Sequence, residues 1–97
     1  MVHMHIGILT FQLKLANSHS LKAKRSHIKR LLHHMHKKFN ISISEIDLLD
    51  IWDSSVIGCV MVSNEKRFLD SSLKRIYNYM QSTFRDIEFF DENFEIW

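Results

Sequence analysis

Between residues 18 and 39 the chain reads SHSLKAKRSHIKRLLHHMHKKF, and that pattern suits one local structure. Ile28, Leu31, Leu32, Met35 and Phe39 fall at i, i+3, i+4, i+7 and i+11, with Leu21 a heptad before Ile28, the spacing of one helix face laid on a core. The rest of the helix carries Lys22, Lys24, Arg25, Lys29, Arg30, Lys37 and Lys38, interleaved with histidines and without a carboxylate. A helix divided in this way must set its apolar stripe against other parts of the chain. Its basic remainder is left for water or for an anion.

The flanking sequence supplies the surface on which the stripe packs. Residues 5–15 are strand-like, with Ile6 and Ile8 on one parity and Leu9, Phe11, Leu13 and Leu15 on the other, which predicts a central strand covered on both faces. Ala16 and Asn17 make a turn, Ser18 or Ser20 offers the helix N-cap, and Asn40 a C-terminal stop. A second strand is expected over 41–50 with a bulge near Ser44, followed by a hairpin over 50–55. Residues 56–62, VIGCVMV, are apolar on both parities and read as a buried central strand. Ser63 and Asn64 offer a second N-cap, and Glu65 opens a helix to about Thr83 with Phe68, Leu69, Leu73, Ile76, Tyr77 and Met80 at helical spacing. The last strand, 87–97, alternates apolar residues with Glu88, Asp91, Glu92 and Glu95, a charge pattern that suits an edge. The order β-α-β-β-α-β with short connections predicts an α+β, ferredoxin-like sandwich: a four-stranded antiparallel sheet with two helices on one face. No linker or low-complexity tract interrupts it, so residues 1–97 form one domain.

Charge is distributed unevenly along this frame. Residues 1–44 hold eight Lys and Arg, all seven histidines and no acid, whereas residues 45–97 hold five basic residues against eleven acidic ones, so +8 faces −6. Such asymmetry argues for a polyanionic partner, or for two halves that attract each other within or between subunits. No apolar run approaches the roughly 18 residues of a spanning helix, and the start lacks a signal-peptide layout, so a cytoplasmic protein without membrane contact is expected. The single Cys59 fits a reducing compartment.

Several motifs bear on chemistry. In SLKAKR, Lys22, Lys24 and Arg25 crowd a helix N-terminus, where cations are unfavourable by a few tenths to about 1 kcal/mol, while the second helix has Glu65 in its first turn. Those cations with the hydroxyls of Ser18 or Ser20 make a candidate anion site. The alternative is neutralisation by Asp47, Asp50 or Asp53. Lys22, Lys29, Arg30, His33, His34 and Lys37 point away from the stripe and Lys24 and Arg25 flank it, so Lys22, Lys24, Arg25, Lys29, Arg30, His33 and Lys37 are the candidate nucleic-acid contacts. The third strand has no aromatic on which to stack a base, so any RNA should lie on the helix face. His33 and His36 share a face at i, i+3, yet no acid or cysteine is near in sequence to complete a zinc site. The first strand offers no carboxylate for two-metal chemistry, and Cys59 has no base beside it. No enzyme, cofactor or small-molecule substrate is therefore expected.

The segments HIGILTFQL, SHSLKAKR, FNISISEI, DLLDIWDSS and VIGCVMVSN, in this order and spacing, resemble the YlxP family of small bacterial proteins, a domain of unknown function. The resemblance covers nearly the whole chain from Met4 onward. It implies a ferredoxin-like fold and no assigned activity, with genes that in many bacteria lie near those for translation initiation and ribosome maturation factors. Ala23 stands where the family's SLKxKR motif usually has glutamate, and Asp53 where it usually has glutamine, which makes this helix more basic and this hairpin more acidic. Two functions follow as expectations. One is an RNA- or ribosome-associated binding module using the basic helix; the other is a protein-interaction module, most simply a homodimer, associating through the open sheet face or the acidic last strand.

Overall fold

A computed structural model describes residues 2–97. The elements run β1 (His5–Leu15), α1 (Leu21–Lys38), β2 (Ser42–Asp47), β3 (Ser54–Ser63), α2 (Lys66–Thr83) and β4 (Ile87–Ile96). They form one antiparallel sheet in the order β2-β3-β1-β4, the ferredoxin-like arrangement expected from the alternation of periods. Pairing brings Leu9 opposite Cys59 and Phe94, and Phe11 opposite Ile57, so one parity of each strand lies on a common face. On that face Leu9, Phe11, Leu13, Leu15, Ile43, Ile57 and Cys59 pack with Ile28, Leu31 and Met35 of α1 and Leu73, Ile76, Tyr77 and Met80 of α2. Gly7 lies close beneath α2: a Cβ there would come within 2.9 Å of Leu73 Cδ1, so the Leu73 side chain would have to shift.

Both helices cover that single face, so the mixed parity of β1 has a different cause from the one expected. Ile6 and Ile8 are on the uncovered side. Ile6 pairs with Val62 on one flank and exchanges backbone hydrogen bonds with Trp97 on the other, and Ile8 lies between Val60 and Glu95. Val62 and Trp97 are 60% and 68% exposed, and Ile46, 53% exposed, lies over Gly58 on the same side. Among the described residues nothing covers this open face, which carries the apolar side chains of Ile6, Ile8, Ile46, Val60, Val62 and Trp97.

Element boundaries differ from expectation where turns decide them. Ser20 is the N-cap of α1, its hydroxyl oxygen accepting from Ala23 N at 3.0 Å, and Phe39, not Asn40, is the C-cap. β2 ends at Asp47 rather than Asp50, and the bulge expected near Ser44 is found just after it, as a register shift between Glu45 and Asp47. Leu48 then takes a left-handed φ of 59°, with its N–H bound to Asp47 Oδ1, and Ile51 N donates to Leu48 O to close a turn. α2 begins at Lys66, so Glu65 is its N-cap residue and no acid lies in the first turn. β4 carries a bulge opposite Thr10 and Gln12, with Asp91 at φ 55° and Gln12 Nε2 donating to Asp91 Oδ2.

Candidate functional site

The cations of α1 separate into one that the fold uses and a set that it leaves free. Lys24 stands four residues before Ile28 and seven before Leu31, inside the apolar stripe, and is 1% exposed. Its ammonium lies 2.9 Å from Glu45 Oε2 on β2 and donates to Leu48 O at 2.5 Å and Leu49 O at 3.4 Å. Ser55 of β3 donates to the same Glu45 oxygen at 2.6 Å. A buried ion pair must have its remaining hydrogen-bonding capacity filled to hold, and here two carbonyls and a hydroxyl fill it. Lys24 is thus an anchor for the loop over residues 48–53, and the expectation that it contacts nucleic acid is corrected: no phosphate reaches a side chain enclosed on all sides. Its partner is Glu45, not Asp47, Asp50 or Asp53.

Ser18 is corrected in the same way. It is fully buried, and its hydroxyl donates to Trp52 O at 2.6 Å, tying the turn before α1 to the far end of the same loop. Only Ser20 of the two serines remains exposed at the helix start, with its hydroxyl hydrogen free to donate outward while its oxygen caps Ala23. The contrast between the two helix N-termini also disappears, because Lys66 and Arg67 open α2 as Lys22 opens α1. The anion site expected at the first turn of α1 therefore loses Ser18, Lys24 and the argument from contrast.

Lys22, Arg25, Lys29, Arg30, His33 and Lys37 are all exposed. Among the described residues, ion pairs form at Lys24–Glu45 and Lys74–Asp70, and none engages these six side chains. From Lys22 to Lys37 the row runs about 22 Å along the helix axis, at 1.5 Å per residue. It borders two open grooves. One, of about 510 Å³, lies between α1 and β2, where Arg25, Lys29, His33 and His36 rim a floor of Ile28 and Leu32. The other, of about 390 Å³, lies between the helices and is lined by Arg30, His33, His34, Lys37, Lys38 and Tyr79.

The second groove contains side chains absent from the expected site. Tyr79 comes from α2, and its hydroxyl shares a 2.7 Å hydrogen bond with His34 Nε2. Phe39 meets the Tyr79 ring edge-on at 5.2 Å, and Lys38 Nζ lies 5.4 Å from the ring centroid. Helical periodicity marks Tyr79 only as a neighbour of the α2 core face, and nothing in the sequence says that it meets α1.

The remaining chemistry is quiet. Burial pushes the Cys59 thiol up to about 12, far from the range of a reactive thiolate. Among the described residues, no group of three or more His, Cys, Asp and Glu side chains is placed to hold a metal ion. No helix of the described residues is long and apolar enough to cross a membrane. On the open face of the two central strands, β1 and β3, stand Ile6, Ile8, Thr10, Gln12, Val56, Gly58, Val60 and Val62, with no aromatic to stack a base, and Phe11 is turned into the core.

Sheet order, a one-sided helix layer and an outward row of unpaired cations define a small ferredoxin-like α+β domain with a basic helical face. More particularly, the chain belongs to the family described as protein of unknown function (DUF503), whose sequence model matches residues 6–94. It is 35% identical over 83 residues to uncharacterized protein YlxP of Bacillus subtilis (strain 168), covering 86% of this chain and 89% of the relative. The resemblance carried by the sequence motifs is thereby confirmed. Among solved structures, the de novo designed protein Foldit4 has a similar fold, with a TM-score of 0.52 at 10% identity over 97% of this chain and 96% of that one.

Proposed function

We propose that this protein is a binding module without catalysis of its own, which grips the phosphates of RNA, first of all ribosomal RNA, with the outer face of α1 in the cytoplasm. The observation that supports this most is that six basic side chains lie exposed and unpaired along one helix, while the one cation the fold needs is turned inward onto Glu45. Free cations at this density meet a polyanion by charge alone and release its counterions. The test is binding of a labelled ribosomal RNA fragment by fluorescence anisotropy. Lys29→Glu with Arg30→Glu abolishes binding and leaves the melting temperature nearly unchanged, since both side chains are exposed and outside any ion pair. A large loss of stability, or full retention of binding, would contradict the reading.

A second reading, association of two copies, has the open sheet face in its favour. Trp97 just beyond β4, Ile6 of β1 and Val62 of β3 form one apolar row, and Ile8, Val60 and Ile46 lie on the same face. An uncovered apolar sheet is a usual association surface, and the two readings use opposite sides of the molecule.

A further inference from the structure

The groove between the helices differs from the rest of the basic face in holding an aromatic ring fixed in position. The Tyr79 ring is held at its hydroxyl end by His34 and along one side by the edge of Phe39. A third neighbour, Lys38, brings its ammonium to 5.4 Å from the ring centroid, so that what lies over the ring there is an exposed lysine side chain. No acid lines the groove, and Arg30, His33, Lys37 and Lys38 surround it. The exposed Trp52, by contrast, stands in the chain between Asp50 and Asp53, where a phosphate would be repelled.

We infer that this groove is a subsite for one nucleotide of single-stranded RNA, with the phosphate among Arg30, Lys37 and Lys38 and the base laid on the Tyr79 ring in place of the Lys38 ammonium. The inference rests on the phosphate-gripping reading of α1 and adds to it a preference for strand form. Cations tracking the backbone beside an aromatic platform are what sequence-tolerant recognition of single strands requires. A duplex presents the same phosphates but keeps its bases stacked and paired inside, so none can reach Tyr79. His34 is a positioning residue here: its bond to the hydroxyl fixes the ring, and it need not touch the base.

The experiment compares a single-stranded RNA of about 12 nucleotides with its duplex, titrated against the full chain by fluorescence anisotropy at one salt concentration. The single strand is expected to bind about 5- to 160-fold more tightly than the duplex, the range one stacked base supplies. Tyr79→Leu reduces single-strand affinity to the duplex level and leaves duplex affinity and salt dependence unchanged, whereas Tyr79→Phe, which keeps the ring but loses its bond to His34, retains a single-strand preference smaller than that of the unaltered protein. A 4-thiouridine single strand crosslinks to the peptide that carries Tyr79, which tests the placement even if Tyr79→Leu folds poorly. Equal affinity for both forms, or an equal loss of both in Tyr79→Leu with no crosslink at Tyr79, overturns the subsite while the phosphate grip stands. Absence of binding to either form overturns both.

Discussion

Lys24 shows how one residue can be read correctly by type and wrongly by place. Its charge grouped it with the outer cations, yet its spacing from Ile28 and Leu31 is that of the buried stripe, and this was the signal available in the sequence. That its counterion is Glu45 was not legible, because the pairing depends on the irregularity between Glu45 and Asp47 and on the left-handed Leu48. Glu45→Ala leaves an ammonium enclosed at 1% exposure without a countercharge and is expected to cost about 3–5 kcal/mol. Lys24→Ala costs less, because Glu45 keeps partial access to water and its Ser55 partner. Urea unfolding of both variants checks the order, and a loss below about 1 kcal/mol for Glu45→Ala would contradict the anchor. Tyr77 is a second residue with an uncompensated group: its hydroxyl is buried without a hydrogen-bond partner, and burial first, then the charges of Glu92 and Asp91, push its ionisation up to about 12. A tyrosine in the unfolded chain ionises near 10, so between about pH 10 and 12 the folded state holds the proton more tightly. This contribution is whole below about pH 10 and is lost as pH rises through about 12. Tyr77→Phe should therefore flatten the alkaline loss of stability and raise stability at neutral pH by about 1 kcal/mol, the burial of Cys59 accounting for part of the slope that remains. An unchanged alkaline profile would show that the hydroxyl ionises as it does in the unfolded chain, and so reaches water.

At the scale of elements, periodicity alone recovered the six segments and their order, because a stripe at helical spacing or a run of alternating apolar residues is a local property of the chain. Ends were less legible. Phe39 rather than Asn40 closes α1, and β2 stops three residues short, since turn hydrogen bonds and the Lys24 contacts with Leu48 and Leu49 set those limits. The groove between α1 and α2 was not legible at all: Tyr79 and His34 meet only through tertiary packing, 45 residues apart in sequence. The sheet contributes its own prediction. If two copies associate, they do so through the row of Val62, Ile6 and Trp97, and Val62→Glu should convert a dimer to a monomer in sedimentation equilibrium without lowering the melting temperature, Val62 being 60% exposed. A dimer that persists in Val62→Glu places the contact elsewhere.

For the molecule as a whole, the +8 of the first 44 residues and the −6 of the remainder are not cancelled by contact between them. Lys24 and Glu45 account for the one ion pair that joins the two parts among the described residues, and the rest of the basic charge is left on α1 and its surroundings. The fold thus separates an apolar sheet face from a basic helix face, and sequence patterning anticipated that division. The most direct measurement is the salt dependence of binding to a single-stranded ribosomal RNA fragment. Five phosphate contacts, one each from Lys22, Arg25, Lys29, Arg30 and Lys37, predict a slope of log affinity against log salt near about −3.5. A slope near zero, or no binding at low salt, would contradict the phosphate-gripping helix.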